Sequence, residues 1–191
     1  MTIKLSSAVV CFLLSMGLTL SCSKPKPMST TVRSVYYWST TLNIDYTKSA
    51  FIRRYDISRM YIRYFDVVTD ASGRAVPNAT LKFATCVPQG IDVVPTVFVM
   101  PECLRQDRQQ LAALIVKRVV QMNETNDVHN VREIQIDCDW TRSTRLLYAE
   151  FMQAMLGECH NRHLKLSSTI RLHQLAQTPP PADRGVLMMY N

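Results

Sequence analysis

The chain has 191 residues, of which 47% are hydrophobic and 19% are charged, which is the composition of an ordinary globular domain with room for a core. Its formal net charge is +7, but the basic residues are scattered and no run of them alternates with aromatic residues. This scattered distribution of the basic residues argues against nucleic-acid binding, and we expect no nucleic-acid partner.

Residues 1–21 have the features of a secretory signal peptide. Lys4 precedes an uncharged, mostly apolar run that ends in small residues. The run is shorter than the roughly 20 residues that a membrane-spanning helix needs, which disfavours a retained transmembrane segment. We therefore expect residues 1–21 to be removed and the rest of the chain to reach the cell envelope.

The signal ends in "LTLSC", which resembles a bacterial lipobox. The resemblance implies that Cys22 is the lipid-attachment residue and that the protein is held at a membrane, on the outer membrane or the periplasmic face. Thr19 departs from the pattern, in which leucine is commoner, and the alternative is a plain cleaved signal with an incidental cysteine. Residues 22–33, rich in Pro, Ser and Thr, would then be a tether.

Four cysteines follow the proposed anchor, namely Cys86, Cys103, Cys138 and Cys159. An oxidising compartment permits disulfides among them, but spacing alone assigns no pairs. The stretch "CHNRH" has too few ligands for a closed metal site, and its basic residues suit the carboxyl end of a helix. We predict no metal and no cofactor.

The remaining sequence alternates strands with helices. Stretches rich in β-branched and aromatic residues predict strands over residues 34–38, 59–68, 92–100, 132–140, 164–172 and 185–191. Helical spacing of apolar residues predicts helices over residues 46–55, 107–123 and 143–161, with Asp45 and Asp107 as N-caps and Thr141 or Ser143 capping the third helix. Turn signals in residues 69–85 suggest a hairpin.

Alternating strands and helices indicate a parallel sheet, either a doubly wound open sheet or a (β/α)₈ barrel. No glycine occurs in "YWSTTLN" after the first strand, which argues against a nucleotide-binding open sheet. Polar residues at the strand ends favour the barrel. We predict an α/β chain whose residues 34–191 form a TIM-type (β/α) barrel, incomplete at six of eight strands and truncated at its carboxyl end. Its exposed edges would favour oligomers.

The fourth predicted strand carries the candidate catalytic pair. Strand alternation places Gln135, Asp137 and Asp139 on one face, opposite an apolar face. Two carboxylates about 6–7 Å apart on one face can raise each other's pKa, which suits general acid–base catalysis. The alternative is a structural role in which inward arginines neutralise both acids.

Candidate substrate-binding residues lie on neighbouring strands. Arg63, Arg171 and His173 are polar and inward-facing by alternation, although a lone histidine at a strand end is more often a plain hydrogen-bonding residue. Trp38, Trp140 and Tyr190 lie at strand ends, where aromatic rings either stack on sugar rings or pack the rim.

Two short motifs resemble glycoside hydrolase family 18, the chitinase-like (β/α)₈ barrels. That family carries D-x-x-D-x-D-x-E on its fourth strand, and in "IQIDCDWT" only Asp137 and Asp139 match the second and third acids. Thr141 stands where the family has its glutamate. The family's M-x-Y-D or M-x-Y-N motif on the sixth strand matches "MMYN", which adds Asn191 to the candidate substrate-binding residues. The chain also resembles bacterial lipoproteins with barrel-type patterning.

The resemblance implies glycan chemistry with a changed active site. In the family the glutamate protonates the leaving oxygen, and its neighbouring aspartate orients the substrate acetamido group. Asp139 could still orient such a group, but Thr141 cannot act as the acid, and losing that function costs about 10²–10⁴-fold in rate. Three hypotheses stay open: an enzyme that uses Asp137 and Asp139 in a variant role, a sugar-binding lipoprotein without catalysis, and a truncated product without activity.

Overall fold

The computed structural model describes residues 31–189. The predicted signal peptide, the lipid-attachment residue Cys22, most of the tether, and the candidate residues Tyr190 and Asn191 lie outside the described residues. None of the helices between residues 31 and 189 combines the length and the apolar character of a membrane span.

The described residues form nine strands, three α-helices and two short 3₁₀ turns. The strands are β1 (Ser34–Tyr37), β2 (Thr41–Leu42), β3 (Arg59–Thr69), β4 (Ala75–Asn78), β5 (Lys82–Phe83), β6 (Asp92–Val99), β7 (Glu133–Asp137), β8 (Lys165–Arg171) and β9 (Arg184–Met188). The helices are α1 (Tyr46–Arg54), α2 (Arg108–Thr125) and α3 (Arg145–His160), and the 3₁₀ turns are Pro101–Arg105 and Leu172–Gln174.

Six parallel strands form the main sheet in the order β1-β3-β6-β7-β8-β9, which is their order along the chain. A doubly wound sheet reverses its strand order at a switch point, and this sheet does not. The sheet curls into half of a barrel, with helices packed on its outer face. The predicted α/β parallel architecture is confirmed, and the arrangement is consistent with an incomplete TIM-type barrel.

The predicted hairpin in residues 69–85 is present. Strand β4 runs antiparallel to β3, and β5 pairs with β2. Asp70 closes the turn by accepting hydrogen bonds from the backbone N–H groups of Ser72 and Arg74, at 2.8 and 3.0 Å. Gly73 has φ +81°, a left-handed conformation that glycine adopts without steric cost. The hairpin thus occupies the connection between β3 and β6, where a barrel usually has a helix.

The N-caps of the first two helices are confirmed, and that of the third differs from the prediction. Asp45 accepts a hydrogen bond from the Lys48 N–H at 2.8 Å, and Asp107 caps α2 in the same way. Thr144 occupies the N-cap position of α3, but its side chain makes no capping bond. The hydroxyls of Thr141 and Ser143 instead bond each other at 2.8 Å in the preceding turn, so the predicted cap was wrong.

The hydrophobic core lies between the outer face of the sheet and the helices. Ile134 and Ile136 of β7 are fully buried there and belong to the same cluster as Phe151 and Met155 of α3. The four cysteines within residues 31–189 are free thiols; Cys86 is exposed, whereas Cys103, Cys138 and Cys159 are buried. Burial therefore accounts for three of these cysteines as small core side chains.

Candidate functional site

An open cavity of about 270 Å³ lies at the carboxyl ends of β1, β3, β6 and β7. Its walls are Trp38, Arg63, Asp66, Phe98 and Asp137, and we call it the carboxyl-edge cavity. The carboxyl ends of parallel strands form the face on which TIM-barrel enzymes hold their active sites. The cavity brings together three of the predicted site residues, namely Trp38, Arg63 and Asp137.

Side-chain alternation along β7 places Asp137 on the inner face. Ile134 and Ile136 point outward into the core, whereas Gln135 points inward and accepts a hydrogen bond from the Tyr36 hydroxyl at 2.8 Å. Asp137 follows Gln135 by two residues and therefore faces the same side. The sequence prediction of an apolar outer face and a polar inner face for this strand is confirmed.

Asp137 is a buried carboxylate with two strong donors. Its Oδ1 accepts hydrogen bonds from the Thr169 hydroxyl at 2.6 Å and from Arg171 Nη2 at 3.0 Å. Burial raises the pKa of Asp137, and the negative charges of Asp139 and Asp66 raise it further. The two donors lower the pKa but do not cancel this rise. Asp137 therefore keeps a proton at a higher pH than an ordinary aspartic acid, as a general acid must.

Asp139 lies near the surface and shares the same arginine. Its side chain is 54% exposed, and its Oδ1 pairs with Arg171 Nε. Arg171 therefore bridges the two acids of the candidate pair. This is the pairing that the structural alternative in the sequence predicted, and it leaves Asp137 inside the cavity and Asp139 outside its lining.

Arg63 and Asp66 form a second ion pair on the cavity wall. Arg63 Nε donates to Asp66 Oδ1 at 2.7 Å, and Nη2 contacts the other carboxylate oxygen. The two residues share a face, although they are three positions apart, because the register between β3 and β6 shifts between Arg63 and Phe65. Such a bulge places one extra residue, Tyr64, in β3 and reverses the alternation beyond it. In a regular strand Arg63 and Asp66 would face opposite sides of the sheet, so alternation alone does not predict their pairing.

Aromatic rings stack along the inner face of β1 and β3. The Trp38 ring lies 5.1 Å from the Tyr36 ring with an interplanar angle of 8°, and Tyr36 lies 4.5 Å from Tyr61 at 18°. Trp38 is 38% exposed and lines the carboxyl-edge cavity. Tyr36 thus stacks on the Trp38 ring while part of that ring stays accessible to a ligand.

Trp140 does not lie at the cavity, and its proposed role in sugar stacking needs correction. The residue is 1% exposed, and its ring stacks on Tyr148 at 5.8 Å within the core. A buried ring has no free face for a sugar. Strand alternation could have predicted this burial, because Trp140 lies an even number of positions after Ile134 and Ile136 and so falls on the same outward face.

His173 also fails to reach the cavity. Strand β8 ends at Arg171, and His173 lies exposed in the following 3₁₀ turn, so alternation no longer applies to it. The neighbouring residue Gln174, which the sequence reasoning missed, is buried. It accepts from the Arg171 N–H at 2.8 Å and donates to the Trp140 carbonyl at 2.9 Å. Gln174 thereby joins the segments that follow β7 and β8.

Within residues 31–189, no three His, Cys, Asp or Glu side chains come together in a group that could hold a metal ion. In the stretch "CHNRH", Cys159 is buried, and His160 pairs with Asp183 at 3.1 Å. The pair connects the end of α3 to the segment before β9.

Comparison with known proteins gives matches in structure alone. No protein-family model and no curated protein matches the chain. A chitinase from Chromobacterium violaceum ATCC 12472 superposes with a TM-score of 0.55 and 13% identity over 85% of this chain and 56% of the chitinase. The spore cortex-lytic enzyme SleL of Bacillus megaterium QM B1551 gives a TM-score of 0.51 and 14% identity over 87% of this chain and 44% of SleL.

The chain therefore spans about half the length of these structures. At such low identity the likeness extends to the fold and not to individual residues. The chain thus shares its fold with the matching parts of these two structures.

Proposed function

We propose that the chain is a glycan-binding lipoprotein of the bacterial envelope and that the carboxyl-edge cavity is its binding site. The observation that carries the proposal is the placement of the exposed Trp38 ring beside the Arg63–Asp66 pair and Asp137 in one cavity. An aromatic face covers the apolar face of a sugar ring, while carboxylate and guanidinium groups bond its hydroxyls. The fold shared with a chitinase and a cortex-lytic enzyme supports glycans as the ligand class.

The cellular part of the proposal rests on the sequence. Residues 1–21 would direct export, Cys22 would carry the lipid, and residues 22–33 would hold the domain away from the membrane. We infer that the described half-barrel is six strands of a TIM-type barrel. A palmitate-labelling assay on Cys22→Ser tests the anchor, since the variant should lose the label that the unaltered protein carries.

A binding measurement tests the glycan proposal. Chitin oligosaccharides and peptidoglycan fragments, the polymers that the structural neighbours' names suggest, form the panel. We expect at least one of them to bind, and Trp38→Ala to weaken its Kd tenfold or more. Tyr46→Ala is the matched control, because Tyr46 is an 83% exposed aromatic residue outside the cavity, and it should leave Kd unchanged. Absence of binding across the panel would contradict the proposal.

Hydrolysis by the acid pair is the second candidate function. It is favoured by the position of Asp137 in the cavity and by burial, which raises the pKa of this residue in the direction that general acid–base catalysis requires. The exposed Asp139 would then orient the substrate from the rim, as the resemblance implies. Release of reducing ends at a saturating concentration of the glycan that binds, abolished by Asp137→Asn, would support hydrolysis. Binding without any turnover would leave the chain as a binding protein alone.

A further inference from the structure

Exposed aromatic residues concentrate on one helix. Between residues 31 and 189 four aromatic residues are exposed, and three of them, Tyr46, Phe51 and Tyr55, lie on α1 or at its carboxyl cap. Ile52 of the same helix is buried in the hydrophobic core, so α1 meets the core through a different face. Apolar residues exposed singly are ordinary, whereas a contiguous group of them marks a surface that contacts a partner or a membrane.

Two of these rings join two arginines in one contiguous surface. The centroids of the Phe51 and Tyr55 rings lie 4.6 Å apart, and the Arg54 guanidinium carbon lies 5.6 Å from the centroid of the Tyr55 ring. Arg33, which precedes β1, donates from Nη1 to the Tyr55 carbonyl at 3.1 Å. All four residues are exposed. We call Arg33, Phe51, Arg54 and Tyr55 the α1 patch.

The α1 patch carries positive charge. Within residues 31–189 neither Arg33 nor Arg54 forms an ion pair, whereas Lys48 on the same helix is paired with Asp45 at 2.9 Å. The exposed acid that follows the patch along the chain is Asp56, and two cations against this one acid leave the surface positive. Cations suit the carboxyl end of a helix, which accounts for Arg54 but not for two exposed aromatic rings beside it.

The proposed tether would hold this patch close to a membrane. Arg33 lies eleven residues after Cys22, and a fully extended chain of that length spans at most about 40 Å. A lipid on Cys22 would therefore keep the α1 patch near the bilayer, where a weak attraction is enough to dock it. Aromatic rings settle at the headgroup level of bilayers, and arginines are attracted to anionic lipids.

We propose that the α1 patch docks the anchored domain on the anionic surface of a lipid bilayer. Phe51 and Tyr55 enter the headgroup region, while Arg33 and Arg54 pair with lipid phosphates. The helix is nine residues long, so it lies on the surface and does not cross the bilayer. The proposal rests on the proposed lipoprotein function, because the anchor at Cys22 supplies the proximity, and it does not depend on glycan binding.

Vesicle binding by an unlipidated chain tests the patch apart from the anchor. The chain from residue 22 onward with Cys22→Ser keeps every described residue and lacks both the apolar segment 1–21 and the lipid. We expect it to sediment with vesicles of equal parts phosphatidylglycerol and phosphatidylcholine, more weakly as salt is raised, and not with vesicles of phosphatidylcholine alone. Absence of binding to the anionic vesicles, or equal binding to both kinds, would overturn the proposal. Palmitate labelling reads the anchor separately, so failure of docking and failure of the lipoprotein proposal give different results.

Two matched double variants locate the binding surface. Phe51→Ala with Arg54→Gln removes one ring and one cation from the α1 patch and should weaken binding to the anionic vesicles about fivefold or more. Leu114→Ala with Lys117→Gln is the control, because this exposed apolar residue and cation have the same spacing on α2, and it should leave binding unchanged. Should the first variant fail to fold, Arg54→Glu keeps both rings and should weaken binding by at least as much.

Two results with these variants would overturn the proposal. The first is equal weakening of vesicle binding by the α1 and α2 variants, which would mean that the attraction belongs to no particular surface. The second is a loss of affinity for chitin oligosaccharides, with unchanged vesicle binding, in the α1 variant, which would assign the patch to a glycan.

Discussion

Arg171 Nη2 lies 3.0 Å from Asp137 Oδ1 in the described structure, and Arg171 Nε pairs with Asp139. One guanidinium on β8 thus holds both acids at the end of β7. The pairing offsets part of the repulsion between the two carboxylates and fixes the inner one beside the cavity. The acids therefore act as parts of one network with Arg171, and changes at any of the three should affect the others.

Removing the Arg171 guanidinium should destabilise the protein most at pH values at which Asp137 is ionised. Arg171→Met deletes the cation and leaves a carboxylate that is only 7% exposed with the Thr169 hydroxyl as its remaining donor. We expect a loss of about 2 kcal/mol in the free energy of unfolding at pH 7, since a buried charge has lost its partner. Urea unfolding measures it, and the loss should shrink at pH 4. A loss that is larger at pH 4 would contradict this reading.

The raised pKa of Asp137 makes stability depend on pH in a defined direction. A group whose folded-state pKa lies above its unfolded value binds its proton more tightly in the folded state. The stabilisation that Asp137 contributes to the folded state is fully present below the pKa of the unfolded state, about 3.9, and is lost as the pH rises through the pKa of the folded state. The free energy of unfolding of the unaltered protein minus that of Asp137→Asn should therefore grow as pH falls from 7 to 4.

Urea denaturation of both proteins at matched pH values gives this difference directly. Subtracting the variant removes the titration of all other groups that the substitution leaves unchanged. A difference that stays level, or that falls toward pH 4, would show that the donors outweigh burial at Asp137.

Gln174 should contribute to both stability and the position of Asp139. Its amide accepts from the Arg171 N–H and donates to the carbonyls of Cys138 and Trp140, which flank Asp139. Gln174→Ala removes these three hydrogen bonds, and we expect a loss of about 2–3 kcal/mol in the free energy of unfolding. Thermal or urea unfolding checks the value. Gln121→Ala, on the exposed side of α2, is the control and should change it by less than about 0.5 kcal/mol.

The cysteines should differ sharply in reactivity. Cys86 is exposed, whereas burial raises the pKa of Cys159 to about 12 and that of Cys103 to about 11. The thiolate is the reactive form, so the buried thiols should react with a thiol reagent only on unfolding. We expect Cys86→Ser to remove one equivalent from the fast phase of the native protein. An unchanged fast phase would show that Cys86 is already oxidised or covered.

The local periodicity of apolar residues predicted much of the secondary structure of this protein from its sequence. The six main strands, the three helices, the caps Asp45 and Asp107, and the inward direction of Asp137 follow from short-range patterns that hydrophobic burial enforces. The strand at Asp137 was predictable because one of its faces is wholly apolar, so a shift by one residue would expose Ile134 and Ile136.

Only the tertiary structure decided which residues meet. A bulge in β3 brings Asp66 beside Arg63. No local sequence pattern predicts this bulge, because the bulge depends on the register between β3 and β6. The end of β8 at Arg171 removes His173 from the site, and packing against Tyr148 buries Trp140. The sequence by itself determined which face of each strand is polar. The partners on that face, including the bridge from Arg171 to Asp137, were decided by the pairing of strands distant in the chain, since neighbouring strands bring together side chains that local spacing cannot relate.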